Sequence, residues 1–411
     1  MSFTTTDQRD DWRDVWVAAG ARAVSLGGDF LAATALVLAL EERGDNGFGV
    51  AALLLASTVP MVLLAPLGGR LADRFDSRRM LTAVGLAQLV CCVAMAFTTH
   101  PVALVALAAA LSAGLAISQP TFAALIPAMV RRDSLPKAMA IGQTANSIAM
   151  IAGPALAGFL VAGFGLRLPL LLNALTYAAV VVAGLLLRTT RGRAATAQSD
   201  ESTRPWRLRA DPLLIRLVPA AAVAIGAISV VNVVLVFFVR GTLGASAAAY
   251  GLIDTVLTVG LVGGAWIVTR IARGDESLAL GLMVSLAGMG LVFLVASAVP
   301  TVLWLVPLYL VGGVFNGGLN SVVGLLVARR VPAGSRGRAM GVLSGASNAA
   351  VTVGYVSAGL LMQVLTPRQC LAASGLAGVL TMVAFAVPIM RAARRPQAAD
   401  EPRPTPALVT P

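Results

Sequence analysis

The sequence predicts an all-α, polytopic membrane protein of twelve transmembrane helices in two six-helix bundles. Three observations carry this. Hydrophobic residues are 58 % of the 411 and charged residues only 12 %, about half the roughly 25 % charge of ordinary soluble domains. Apolar stretches of the roughly 20 residues needed to cross a bilayer recur along the chain. Positive charge rises and falls in alternate loops between them.

The first six stretches run near 15–40, 48–72, 79–98, 101–129, 138–162 and 168–187. The second six run near 212–239, 247–270, 277–297, 300–328, 338–364 and 370–391. The first is too long for a signal-peptide core and lacks a cleavage pattern, so it is expected to be a retained span. Arginines crowd the loops after spans 2, 4, 6, 8 and 10 and the tail after span 12, whereas Arg167, Arg240 and Arg368 are isolated in the others. The positive-inside rule then places both termini in the cytoplasm of a cell-membrane protein.

This divides the chain into a cytoplasmic segment (1–14), a first bundle (15–187), a linker (188–211), a second bundle (212–391) and a disordered tail (392–411). The linker is rich in Arg, Thr, Ala and Ser, as a flexible connection would be. The halves echo each other. Pro127, a charged turn, Ala138-Met139 and Asn146 are matched at the start of span 11 by Pro332, a charged turn, Ala339-Met340 and Asn348. Duplication of a six-span unit explains the echo.

Several functions are excluded. The net charge of +12 lies in loops and at the ends of spans, not along one helix face, so nucleic acid is not an expected partner. Cys91, Cys92 and Cys370 have no metal-ligand spacing and His100 is the only histidine, so no metal site is expected. No paired catalytic carboxylates and no nucleophile constellation emerge. No Walker sequence is present. The expectation is a protein that is not an enzyme and needs no cofactor.

Between spans 2 and 3, residues Gly69 to Arg79 hold Arg70, Asp73, Arg74, Asp76, Arg78 and Arg79. Gly69, Leu71, Ala72, Asp73, Arg74, Arg78 and Arg79 resemble the signature Gly-x-Leu-Ala-Asp-Arg-x-Gly-Arg-Arg of the major facilitator superfamily, with Asp76 at the second glycine. An Asp there can bond its own backbone in a turn. The resemblance covers residues 12–392 and implies the major facilitator fold and secondary transport by alternating access. Leu26-Gly27-Gly28-Asp29, Gln119-Pro120-Thr121-Phe122, Leu172-Asn173-Ala174 and Arg336-Gly337-Arg338 resemble exporters of the enterobactin and macrolide-efflux type. Gly142, Gly153, Pro154 and Gly158 resemble the helix 5 pattern of proton-coupled antiporters. The resemblance implies that Asp73 and Arg74, with Arg78 and Arg79, serve as a conformational latch. It also implies a span 4 arginine for proton relay, which this chain lacks before Arg131.

Asp29 lies mid-way along span 1, where an ionised carboxylate is costly unless hydrated or paired, and is the foremost proton-coupling residue. Arg22, seven residues earlier, shares its helix face. Asp254 near the start of span 8 is the counterpart in the second half. Gln119, Gln143, Asn146, Asn173, Asn232, Asn316, Asn320 and Asn348 are cavity-lining residues or interhelical hydrogen-bonding groups. Phe122, Tyr177, Phe237, Phe238, Trp266 and Phe315 would add apolar surface to a cavity. The expected function is proton-coupled efflux of a small hydrophobic or amphipathic compound, such as an antibiotic or siderophore, by a monomer in contact with membrane lipids. The alternatives are an uptake carrier, a lysophospholipid-type flippase, and a non-transporting sensor or scaffold.

Overall fold

A computed structural model describes residues 10–44, 47–98, 100–131, 133–189, 211, 213–271, 274–331 and 335–394. The helices are α1 (Trp12–Glu42), α2 (Phe48–Arg74), α3 (Ser77–Phe97), α4 (Pro101–Met129), α5 (Leu135–Phe164) and α6 (Arg167–Leu186). The second set is α7 (Leu214–Val236), α8 (Ala247–Ile271), α9 (Asp275–Ala298), α10 (Leu305–Arg330), α11 (Arg336–Leu361) and α12 (Pro367–Ala393). Each predicted span falls on one of them. The proposed linker residues 190–210 and tail residues 395–411 lie outside the described residues.

Helices dominate because no water inside a bilayer satisfies backbone groups, so each span must bond internally. Eleven described helices are apolar and long enough to cross a membrane. The exception, α11, has spanning length, but its glycines, serines and Asn348 lower its hydropathy. Ends are set locally. Asp11 accepts from the Asp14 N–H, Thr366 and Gln369 form a capping box on α12, and Gly165, at φ +68°, ends α5 in a conformation that favours glycine.

The two halves repeat one packing plan. In the first, α1 packs on α5 and α6, α3 on α4 and α6, and α2 on α4. In the second, α7 packs on α11 and α12, α9 on α10 and α12, and α8 on α10. The halves meet where α5 packs on α8 and, equivalently, where α2 packs on α11. Glycine places the repeat. Gly153 of α5 lies against Gly27 of α1, and Gly354 of α11 lies against Gly226 of α7. Ala138-Met139 and Ala339-Met340 share the spacing of Gly153 and Gly354, while Asn146 and Asn348 are displaced from it by one residue.

One end of the molecule is rich in arginine. There Arg330 is almost fully buried between Asp211 before α7, 3.0 Å away, and Asp275 at the start of α9, 2.9 Å away. The sequence reads Arg330 only as a topology signal. In the other half, Asp14 is buried and accepts from the backbone N–H groups of Arg188 and Thr189 and from the Thr189 hydroxyl. Asp10 accepts from the Arg131 N–H and the Ser134 hydroxyl, which hold its carboxyl below its usual range. Each of these contacts joins elements of one half.

Removing one member of a buried ion cluster leaves the others uncompensated. Arg330→Ala is therefore expected to cost about 3–5 kcal/mol. Arg394→Ala, which breaks a solvated pair with Glu276, is expected to cost under about 1 kcal/mol. Thermal unfolding of the detergent-solubilised protein compares the two.

Candidate functional site

Asp29 of α1 lies in a polar cluster walled by apolar side chains. Its Oδ1 accepts from the Tyr177 hydroxyl of α6 at 2.6 Å. The Tyr177 oxygen in turn accepts from Gln88 Nε2 of α3 at 3.2 Å, and the same amide reaches the Leu111 carbonyl of α4. Asp29 Oδ2 is buried and has no hydrogen-bond partner among the described residues. Arg22 and Asn173 stand beside the carboxylate. Arg22 also lies over the Phe122 ring, 5.9 Å from its centre. Asn173 is fully buried, donates to Cys92 Sγ at 3.5 Å and accepts from Thr176. Gly28 makes this packing possible: a Cβ there would overlap Asn173 Oδ1 and Thr176.

Sequence reasoning missed Gln88 and gave Tyr177 an apolar role that the structure corrects. Gln88 was visible as a single amide within the apolar run Leu86–Val90. A buried amide in a span needs a partner, and its partner is Tyr177. The other aromatic expectations also change. Phe238 is fully buried, and Phe315 packs against Gly288 of α9. Trp266 is exposed beneath the Arg270 guanidinium, 3.5 Å away.

Asp254 of α8 reaches across the halves. Thr34 of α1 is a polar neighbour of its carboxylate, and Tyr250 and Tyr309 are its neighbours in the second half. Asp29 and Asp254 are therefore both on or against α1 but belong to separate polar groups.

The amide residues divide between the halves. Asn232, Asn316, Asn320 and Asn348, with Ser229 and Ser344, line part of a cavity of about 440 Å³ in the second half, whose remaining wall is mostly apolar and includes Leu257, Met289 and Phe293. Asn232 donates to the Tyr355 hydroxyl at 3.3 Å, and Asn320 to Asn316 at 2.9 Å. No charged side chain lines this cavity among the described residues. Gln119 donates only to Met61 Sδ at 3.8 Å, Gln143 is exposed, and Asn146 keeps its Oδ1 buried without a partner. Gln143, Asn320 and Ser344 are exposed on three helices from both halves, toward the arginine-rich end.

The charged segment after α2 is mostly helix. Gly69 to Arg74 close α2 and Ser77 opens α3, so the turn is only Phe75 and Asp76. Asp76 caps α3 by accepting from the N–H groups of Arg78, at 2.8 Å, and Arg79. Arg78 donates to the carbonyls of Gly184 and Leu185 at the end of α6. Arg74 and Arg79 are exposed, and the Asp73 side chain lies outside the described residues. Gly69 faces open space, whereas its neighbour Gly68 is pressed against the Ala116 carbonyl of α4.

The helix 5 glycines have separate tasks. A Cβ at Gly153 would stand 2.7 Å from Phe30 Cβ and 2.8 Å from the Gly27 carbonyl, so Gly153 seats α5 on α1. A Cβ at Gly158 would stand 2.6 Å from the Ala247 carbonyl, and one at Gly251 would overlap the Pro154 carbonyl, so this pair seats α5 on α8. Gly142 has ordinary room beside Ile126. The α2–α11 contact is made at the same end of the molecule, where Gly47 meets Met362 and Gly359 meets Phe48. At that end a π-turn, Phe237–Thr242, extends α7. Its wider coil carries Arg240 to Glu41 and Glu42 of α1, each 2.9 Å away. The halves are thus joined at the end opposite the arginine-rich one.

A family profile described as Major Facilitator Superfamily matches residues 18–277 and 217–410. No curated protein matches the chain. Among solved structures, a peptide transporter POT in complex with alafosfalin is similar at 15 % identity and a TM-score of 0.75, covering 94 % of this chain and 98 % of that one. A bacterial homologue of the iron transporter ferroportin in an inward-facing state gives 16 % and 0.73, covering 94 % and 100 %. The nucleoside transporter NupG gives 15 % and 0.72, covering 90 % and 99 %. At these identities the likeness is one of fold.

Tyr177→Phe leaves Asp29 Oδ1 without its donor and is expected to cost about 1–3 kcal/mol. Asp29→Asn keeps an acceptor for Tyr177 and is expected to cost less; the unfolding midpoints in detergent rank the two. Arg240→Ala removes both partly exposed ion pairs and is expected to shift the equilibrium between joined and separated states of that end by roughly 2- to 30-fold, at about 0.2–1 kcal/mol per pair. Pulsed electron–electron distance measurements between labels on α1 and α7 read that shift.

Proposed function

The chain belongs to the Major Facilitator Superfamily, and from this we propose that it is a proton-coupled secondary carrier moving a small solute between its two halves by alternating access. The observation that carries the reading is Asp29. A carboxylate within a span is costly unless paired, and here one oxygen is hydrogen-bonded while the other has no partner. A proton on Oδ2 would neutralise the group and weaken its attraction for Arg22 without breaking the Tyr177 bond. Asp254, facing Thr34 across the halves, gives protonation a second point at which to alter their contact.

We read the arginine-rich end as cytoplasmic by the positive-inside rule. The conformation is then inward-facing, joined at the outer end by Arg240 with Glu41 and Glu42 and by the Gly158–Gly251 crossing. In this reading Asp73, Arg74, Arg78 and Arg79, with Gly69, form a latch that engages when the inner end closes. The carrier works as a monomer.

The cavity pairs amides and hydroxyls with a larger apolar wall that includes Leu257, Met289 and Phe293, which supports a cargo with both hydrogen-bonding and apolar parts, and the absence of charged lining residues among those described supports one neutral on that side. Similar structures are named as peptide and nucleoside transporters, which favours an uptake carrier for a polar solute over the exporter expected from the sequence. Export of an amphipathic compound is the second reading, supported by the Gly153, Pro154 and Gly158 pattern.

Vesicles of known orientation, offered dipeptides, nucleosides and amphipathic antibiotics, test both readings. A proton gradient is expected to drive accumulation of one class, a protonophore to collapse it, and Asp29→Asn to abolish gradient-driven accumulation. Undiminished accumulation by Asp29→Asn overturns the coupling role. Accumulation in right-side-out vesicles means uptake, and accumulation in inside-out vesicles means export.

A further inference from the structure

The outer wall of the first half carries a groove that transport through the centre does not use. Between α5 and α6, which touch each other little, α1 is uncovered. The groove encloses about 960 Å³ and its lining is almost wholly apolar. Small residues of α1, Gly20, Ala23 and Gly27, form its floor, and Ile148 of α5 and Leu175 of α6 form strongly exposed rims. It follows α1 from Trp16 to Leu31, about 22 Å at roughly 1.5 Å per residue. That length runs from one interface past the midplane of a roughly 30 Å hydrocarbon layer.

The occupant follows from the groove's surroundings. It opens sideways within spanning helices, so the medium facing it is lipid. Its mouth lies at the arginine-rich end, where Trp16 is 61 % exposed, suited to the headgroup level. Two cations flank the mouth. Arg13 donates to the Leu186 carbonyl at 3.4 Å and lies 3.6 Å from Asp14 Oδ1, with its side chain still 46 % exposed. Arg188 follows α6 and is exposed. Asp14, the acid nearest them, is fully buried; its Oδ1 offsets part of the Arg13 charge, while its Oδ2 accepts only from the Arg188 and Thr189 backbone N–H groups and the Thr189 hydroxyl, so the Arg188 guanidinium supplies the larger share of positive charge at the surface. The second half has an equivalent groove over α7, between α11 and α12, of about 620 Å³.

We propose that the α5–α6 groove is a binding site for one anionic phospholipid, with an acyl chain along α1 over Gly20 and Gly27 and its phosphate between Arg13 and Arg188. The site is fixed to the bundle, unlike the exchanging lipid around the rest of the protein. Its floor at Gly28 and Thr176 backs directly onto Asn173, so the chain lies one layer from the Asp29 cluster.

The test uses the full chain in vesicles containing a phosphatidylglycerol with a diazirine on its acyl chain. Irradiation is expected to label Val24, Ile148 and Leu175 above the lipid-facing residues of other helices. Gly20→Leu places a side chain in the groove, where nothing lies within 4 Å of the added Cβ, and an unchanged unfolding midpoint in detergent checks that the fold is kept. The substitution is expected to remove the excess labelling at Ile148 and Leu175. Arg13→Ala and Arg188→Ala are each expected to lower it about fivefold, the equivalent of roughly 1 kcal/mol per cation near an anionic lipid. A zwitterionic lipid with the same chain is expected to label weakly. Even labelling around the protein, labelling unchanged in Gly20→Leu, or crosslinks between two copies of the chain through Ile148 would each overturn the proposal.

Discussion

The close approach of α5 to α8 is the contact on which the rest of the molecule's geometry depends. Gly158 and Gly251 bring two backbones to a distance that no side chain tolerates, and the Pro154 carbonyl fills the space a Cβ at Gly251 would need. In hydrocarbon, apolar side chains gain nothing by leaving lipid for each other, so helix association rests on such packing and on interhelical hydrogen bonds. Its closest approach lies toward one end, at Gly158 and Gly251. It therefore holds the halves together there while Gln143, Asn320 and Ser344 remain exposed toward the other. The α2–α11 contact repeats the arrangement on the opposite flank, and the ion pairs of Arg240 close the space between.

The spans were legible in the sequence because the bilayer dictates them. Length and apolar content alone define a spanning helix, and α4 begins and ends at the residues expected of it. Side-by-side arrangement was not legible in the same way. A span is apolar on all faces, so its pattern does not separate lipid-facing from protein-facing surface as it does in a soluble helix. Arg330 illustrates this: from its position it is one more loop arginine, yet it is buried between two aspartates. Glycines gave a partial record of helix contacts: Gly153 and Gly158 of the helix 5 pattern sit at crossings, whereas Gly68, which no motif marked, lies against the Ala116 carbonyl.

The candidate site was half legible. A lone Asp in an apolar span announces itself, and Asp29 is the centre of a cluster. What could not be read was which helices would answer it, because Gln88 and Tyr177 are far away in the chain and ordinary in composition. The absent span 4 arginine acquires a physical setting here. The cation beside Asp29 is Arg22 of the same helix, and the neutral members come from α3 and α6. The carboxylate is thus held within one bundle, whereas Asp254 faces its neighbour across the boundary.

The two-residue turn at Phe75 and Asp76 has a mechanical consequence. Asp76 pins the first turn of α3, and Arg78 clasps the last carbonyls of α6, so α2, α3 and α6 are tied at one end with no slack between them. A hairpin this short transmits torque. In the proposed alternating-access cycle, rocking of the halves about the glycine crossing would sweep the arginine-rich ends of these three helices as one lever arm. The displacement at that end then scales with the distance from the pivot, with no need for any helix to bend.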